Sequence, residues 1–355
     1  MALDRNGLIA LAKATAKASL NPSASFAYEG KNLTYAALNE TFRNEMNALA
    51  GTYADYRRNQ NTIFELIETG IDEVLPQKVL QEYGQFADVR TVAQGDKLVF
   101  KVRISEASKR RAKGFVTRVG LAGRYETFKL DGYSFEVPTS AWGGAAQIGF
   151  EEFLDGNIQM SDVYDIVLEG LDEAVYKEIA KALESMIGTI GEMNKVEGTT
   201  FDEQAFDQLL QTADVYGKAA IYCTFEFATK MMPTNSEWYS SAMKEARFQD
   251  GYFANYKGHN VVILPQSFED ATNKVKVIDP SHAYIIPTGA EKPVKVAFEG
   301  QSAVREVPSQ EDWSREIQTY RKFGVAVYQN VNPGICVYTD TSLKKNMSKP
   351  VVSGH

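Results

Sequence analysis

The amino-acid sequence predicts an α+β fold of two or so packed units carrying one long, projecting β-hairpin. Apolar residues recur every four positions from Val163 to Ile187, the signature of a long helix. They alternate every second position from Leu98 to Ile104, as strand residues do. The second half of the chain mixes capped helical stretches with short apolar runs bounded by Gly, Pro, Asn and Asp. A chain of 355 residues exceeds the usual size of a single core. With 44% hydrophobic and 24% charged residues it has the balance of a globular protein, not a disordered one.

Taken in order, residues 1 to about 60 are polar, alanine-rich and low in regular pattern, with scattered anchors at Leu33, Tyr35, Leu38, Phe42, Met46 and Leu49. They read as an arm that wraps a surface. The stretch NTIFELIETGIDEVLPQKVLQEYGQF then sets Phe64, Ile67, Ile71, Val74 and Leu75 at helical spacing, with Pro76 ending one helix or starting the next. From 88 to 138 the period becomes two. KLVFKVRI supplies one strand, and RYETFKL and YSFEV follow around Asp131-Gly132, a dipeptide that favours tight hairpin turns. Between these strands lies SEASKRRAKGFVTRVG, whose charges and Gly114 suit a hairpin tip projecting into solvent or onto a neighbour.

PTSAWGGAAQIGFEEFLDG reads as a Gly-rich hinge centred on Gly143 and Gly144. The helix after it spans Ser161 to Gly188, about 40 Å at 1.5 Å per residue, with Ile166, Leu168 and Met186 widening its stripe. Its apolar stripe drifts by about 40° per four residues, so different partners must cover the two ends. Thr200-Phe201-Asp202-Glu203 forms a capping box ahead of Phe206, Leu209, Leu210 and Ala213. KAAIYCTF reads as a buried strand in which Phe225 and Phe227 continue the alternation, and NSEWYSSAMKEARF as another capped helix. Strands follow in NVVILP, HAYIIP and PVKVAF. The chain closes with RKFGVAVYQNVNPGICVYTD, a strand pair about an Asn332-Pro333-Gly334 turn.

Charge is distributed unevenly. From Lys97 to Lys129 there are ten basic residues against two acidic ones, a net of +8 in a chain whose total is -8, leaving -16 for the remainder. A basic strip on an acidic body can serve solubility, touch phosphate backbones, or bind another copy of the acidic body. The densest cluster, KRRAK, contains no aromatic residue, and only Phe115 follows it, which is poor material for single-stranded nucleic acid. Contact with a neighbouring copy is the preferred reading.

The chemistry-bearing residues form no constellation. His259 and His282 lack a Cys or His partner at ligand spacing, and no phosphate-loop, dinucleotide, zincin or nucleophile-elbow motif occurs. Trp142 to Ala146 lacks the lysine and hydroxyl of a phosphate loop, and Glu151 and Glu152 face different directions on a helix. Cys223 and Cys336 sit in apolar, strand-like contexts and are expected buried and reduced. No window approaches the apolar length of a membrane span. The expectation is a protein without catalytic, cofactor or metal sites.

The order of parts, with GHNVVILPQSF, DPSHAYIIPTGAEKPVKVAFEG and YRKFGVAVYQNVNPGICVYTD, resembles the major capsid protein of tailed bacteriophages, a fold shared with encapsulins. The resemblance covers about residues 30 to 340. It implies an N-terminal arm (1–60) and an extended loop (88–138). It further implies a peripheral domain (61–87, 139–199 and 311–345, spine helix about 160–188), an axial domain (200–310) and a flexible tail (346–355). Lys109, Arg110, Arg111, Lys113 and Arg118 then lie at the loop tip in contact with the next subunit. Lys109 and Lys113 are candidates for the loop lysine that some members crosslink to a neighbour's asparagine. The implied partners are other copies in hexamers and pentamers, scaffolding and portal proteins, and packaged double-stranded DNA by nonspecific proximity, with no membrane. A net acidic shell repels that DNA, which helps ejection. The implied place is the virion, assembled in the host cytoplasm. The alternatives are an encapsulin-like compartment and a soluble binding module without catalysis.

Overall fold

The computed structural model describes residues 4–28, 31–102, 133–148, 159–232, 240–288, 292–308, 315–327 and 334–347. The chain divides into two compact units. The first comprises Met1–Phe100, Glu136–Ile179 and Val294–Ala326, and the second Lys101–Phe135, Ala180–Pro293 and Val327–His355.

The first unit begins with regular structure where the sequence predicted an irregular arm. Helix α1 (Arg5–Ser19) is capped by Asp4, whose carboxylate accepts from the Gly7 N–H at 2.7 Å. It buries Leu8, Leu11, Ala12, Thr15 and Ala16, a helical face written largely in alanine and so easily missed as low in pattern. A short antiparallel pair, β1 (Ser25–Tyr28) and β2 (Lys31–Thr34), leads to α2 (Tyr35–Leu49), which buries Leu38, Phe42 and Met46 at four-residue steps.

Helix α3 (Tyr53–Tyr83) runs 31 residues straight through Pro76. The sequence predicts a helix boundary at Pro76, and the structure corrects this, with one helix continuing through it. An interior proline costs about 3 kcal/mol. Ile71, Val74, Leu75 and Val79 around it are each at most 4% exposed and contribute about 1.5–3 kcal/mol apiece, so burial wins. Strand β3 (Ala87–Val92) pairs in parallel with β12 (Val294–Pro308), so the start of the stretch read as extended loop belongs to a sheet. That four-stranded sheet runs β3-β12-β13-β6, with β13 (Arg315–Val327) antiparallel to β6 (Ser140–Ile148).

Gly143 and Gly144, predicted as a hinge, lie inside β6 opposite Tyr320 and Thr319. A Cβ on Gly143 would sit 2.5 Å from the Thr319 carbonyl oxygen, so this glycine serves close strand packing. The hairpin base is present as predicted: β4 (Val99–Val102) pairs with β5 (Tyr133–Glu136), extended by a Val137 N–H to Leu98 carbonyl bond of 3.1 Å.

Helix α4 (Met160–Thr189) is the predicted long helix; its residues through Ile179 belong to the first unit and the rest to the second. Val163, Val167, Leu171, Val175, Ile179 and Leu183 are buried as expected, whereas Ile166 is 63% exposed. Within the first unit α3 and α4 lie side by side and run the same way. Gly70 lies against Tyr164, Lys78 bonds Asp172 at 2.5 Å, and Tyr83 stacks on Tyr176.

The second unit is built on a six-stranded sheet, β7-β14-β11-β8-β10-β9. Its strands are β7 (Lys195–Gly198), β8 (Ala219–Cys223), β9 (Asn255–Tyr256), β10 (His259–Ile263), β11 (His282–Pro287) and β14 (Cys336–Asp340). The closing segments read as a strand pair therefore part company: β13 joins the first unit's sheet and β14 the second's. Helix α5 (Glu203–Asp214) packs Phe206, Leu209, Leu210 and Ala213 onto the sheet. Its N-cap is Asp202, which accepts from the Gln204 and Ala205 N–H groups, not the Thr200 of the expected box. The CTFEF stretch is also corrected. Thr224 ends β8 and caps a short helix α6 (Phe225–Lys230), which buries Phe227 and exposes Phe225. Helix α7 (Ser241–Gln249) completes the unit, with the Ser240 hydroxyl accepting from the Met243 N–H.

Candidate assembly surfaces

The predicted loop-tip residues Lys109, Arg110, Arg111, Lys113 and Arg118 fall outside the described residues, as do Glu151 and Glu152. What the structure shows is the root from which the hairpin leaves the first unit. Phe100, 1% exposed, lies under the Arg90 guanidinium at 4.5 Å and the Lys295 ammonium at 4.9 Å. Lys295 is itself fully buried and reaches Asp88 at 3.4 Å, so the aromatic face supplies part of what water would otherwise give its charge.

Glu299 on β12 ties both legs of the hairpin to the sheet. Its carboxylate accepts from the Gly95 N–H (3.0 Å) ahead of β4, from the Thr139 hydroxyl just after β5, and from the Lys322 ammonium (3.3 Å) on β13. The hydrogen bond from Thr139, then that from Gly95, outweigh burial and hold this carboxyl below its ordinary range. Gly300 follows with φ of 66° and leaves only 3.0 Å to the Gln94 Cβ for any added side chain. The leg before β4 is thus seated against the end of the sheet pairing.

A second buried charge lies further along the sheet. Arg321, 1% exposed, donates to Asp72 at 2.5 Å and to the Gly300 carbonyl at 2.8 Å. Burial works against its charge and lowers its pKa, with Asp72 opposing. Asp72 also accepts from the Ser302 N–H, and Glu68 one turn earlier accepts from the Val304 N–H, so α3 carboxylates knit the helix to β12. Sequence reasoning missed Lys295, Glu299 and Arg321. The available signal was PVKVAFEG, where charges stand on one face of a strand whose other face is apolar. Both faces of β12 are buried from Val294 to Glu299, and a charge there must find a partner.

The N-terminal helices are pinned by ion pairs. Arg5 forks onto Glu65 with two bonds of 2.7 Å, and Arg43 bridges Asp162 (2.7 Å) and Asp165 on α4. Between α3 and α4 opens a cleft of about 580 Å³ with Val74, Leu75 and Leu168 among its lining and the carboxylates Glu82, Asp165, Glu169 and Asp172 along it. Lys78 is the basic residue lining it. Burial opposes the Lys78 charge, but its bond to Asp172 and the surrounding carboxylates win and raise its pKa. Burial, then repulsion from Asp172, raises that of Glu82.

The remaining sequence candidates are structural. Cys223 and Cys336 are free and buried, and burial pushes both thiols up to about 12. His259 lies 3.4 Å from Asp214 and 3.2 Å from the Ala219 carbonyl, while His282 contacts the Thr339 hydroxyl at 3.0 Å. No group of three or more metal-ligating side chains occurs among the described residues, and no described helix is long and apolar enough to cross a membrane.

Residues 10–337 match the family described as "SPbeta prophage-derived putative capsid protein YonB". The chain belongs to that family, and its class is that of a shell-forming capsid protein. Solved structures similar to it include the head of Helicobacter pylori bacteriophage KHP40 at 10% identity, covering 74% of this chain and 91% of that one, with a TM-score of 0.49. The capsid of a native GTA particle matches at 10% identity over 73% and 89%, with a TM-score of 0.49. A virus-like particle from Pyrococcus furiosus matches at 14% over 74% and 97%, with a TM-score of 0.39. No curated protein is similar enough to count as a match.

Proposed function

We propose that the protein is the major capsid protein of a tailed-phage-type particle, and that it works by self-association without catalysis. Many copies assemble into an icosahedral shell of hexamers and pentamers around double-stranded DNA, with scaffolding and portal proteins as assembly partners and the host cytoplasm as the place of assembly. The family match over nearly the whole chain carries this reading. In it, the projecting hairpin is the element that reaches a neighbour, with Lys109, Arg110, Arg111, Lys113 and Arg118 in the contact. The Glu299 and Phe100 root fixes the direction in which it leaves.

The test is negative-stain electron microscopy of the purified protein with light scattering for mass. Closed shells tens of nanometres across are expected, and nucleic acid inside particles recovered from phage-producing cells distinguishes a phage head from an enzyme-holding compartment. A 39.5 kDa species that never associates counts against the reading.

A further inference from the structure

We propose that His282 is a proton-operated latch of the second unit. Uncharged, it lets β7, β11, β14 and the second half of α4 close together; protonated in mild acid, it loosens that unit and leaves the first intact. The inference stands apart from the assembly reading and concerns how the folded subunit answers pH.

Position is the first argument. All three histidines of the chain, His259, His282 and His355, belong to the second unit, and the first has none. Imidazole is the side chain whose ordinary pKa puts its charge change between about pH 5 and 8. His282 opens β11 directly opposite Thr339 of β14, which in turn pairs with Glu197 of β7. The three side chains therefore share one face across three neighbouring strands. Glu184, on the part of α4 that belongs to this unit, is within electrostatic reach of the ring, as are Glu197 and Asp279.

Hydrogen bonding is the second. The His282 side chain is 17% exposed. Its Nδ1 lies 3.0 Å from the Thr339 hydroxyl, which can donate to the neutral ring. Protonation fills Nδ1 and forces that hydroxyl to turn and accept instead. The surrounding carboxylates are poorly placed to compensate a buried charge. Nε2 is 3.8 Å from Asp279, beyond hydrogen-bond length, and Asp279 already accepts from the Ser281 N–H at 2.9 Å. Glu184 is bonded by Lys345 at 3.1 Å, and that ammonium also lies 3.8 Å from Glu269. Tyr284, with its ring 6.2 Å away, brings no charge. Burial accordingly outweighs the pull of Asp279, Glu184 and Glu197 and holds the imidazole below its ordinary value of 6.5.

The sign of the response is the third. With the folded-state value below 6.5, the unfolded chain takes up the proton first as pH falls. Stability of the second unit is therefore lost from about pH 6.5 downward, through the lower folded value. The first unit carries groups of the opposite sense. Burial, with Asp72 adding to it, holds Glu68 above the ordinary 4.5, and burial, then Asp172, does the same for Glu82. These carboxyls take up their protons more readily in the folded state, so acid favours the fold of that unit.

The test uses the full-length chain. Imidazole C2 hydrogen exchange read by mass spectrometry gives the pKa of each histidine, and amide exchange on the same samples reads loosening segment by segment. His282 is expected to titrate below its ordinary 6.5. From about pH 7.5 to about pH 5.5, amide exchange corrected for its intrinsic pH dependence is expected to rise about threefold or more in β7, β11, β14 and residues 180–189. In α3 and β12 it is expected to stay level or fall. His282→Asn, which keeps a polar partner for Thr339 and does not titrate, is expected to remove most of the rise. A His282 value at or above 6.5, no rise in the wild type, a rise that survives in His282→Asn, or equal loosening of the first unit overturns the proposal. Should the variant fail to fold at neutral pH, the wild-type titration and exchange pattern decide the matter alone.

Discussion

The two sheets of this molecule differ in how much buried charge they carry. In the six-stranded sheet the central strands β8, β11 and β14 bury Ile221, Cys223, Ala283, Ile285 and Cys336 at zero exposure against Phe206 and Phe227. In the four-stranded sheet the buried side chains include Lys295, Glu299, Thr319 and Arg321. An apolar core tolerates exchange of one hydrocarbon for another of similar volume. A buried charge demands its particular partner at a particular place, and removing that partner is costly. The charged sheet is the one against which both hairpin legs are seated. Its polar contacts fix where the loop leaves, while the apolar sheet supplies unspecific cohesion.

The largest effects should expose this contrast directly. Phe206→Ala is expected to destabilise the second unit by about 3–5 kcal/mol, read by denaturant unfolding at any pH or salt concentration. Asp72→Ala is expected to cost the first unit about 3–5 kcal/mol because it strands Arg321, whereas Arg321→Met, which removes the charge itself, should cost clearly less. Equal losses for the two would break the claim that the buried charge, more than packing, governs that sheet.

A smaller effect sharpens the comparison through pH. Because the Glu299 carboxyl is held below its ordinary value of 4.5, its contribution is present above that pH and is lost as pH falls through the lower, folded-state value. Glu299→Gln should therefore be less stable than wild type at neutral pH, and the gap should close in acid. A gap that persists unchanged in acid would show that the carboxylate is not what ties the legs. Smaller again, Arg43→Ala should cost about 1 kcal/mol, since its two acidic partners are partly exposed, and high salt should shrink the difference. Native Cys223 and Cys336 should resist alkylation at mildly alkaline pH until the protein unfolds, as their raised thiol pKa values and burial in the apolar sheet require.

The contrast also explains what the sequence disclosed. HAYIIP and ICVYTD are readable as strands because both faces are apolar, and α4 because Val163 to Leu183 repeat without interruption. The hairpin base was legible from the alternation of KLVFKVRI. Helix α1 was not, because Ala12, Ala16 and Ala18 bury a face without looking hydrophobic. Continuation through Pro76 depended on tertiary burial that no local pattern records, and the helix after Thr224 on a cap that interrupts an apparent strand. The candidate surfaces split the same way. The basic strip stood out by composition alone, whereas the Glu299 tie joins residues up to 204 positions apart and exists only in the fold.

The most direct test of the account is a cryo-electron microscopy reconstruction of the assembled particle. The predicted result is an icosahedral shell in which the hairpin of each copy lies against a neighbouring copy. Hairpins pointing freely into solvent, with copies joined only through their second units, would contradict it.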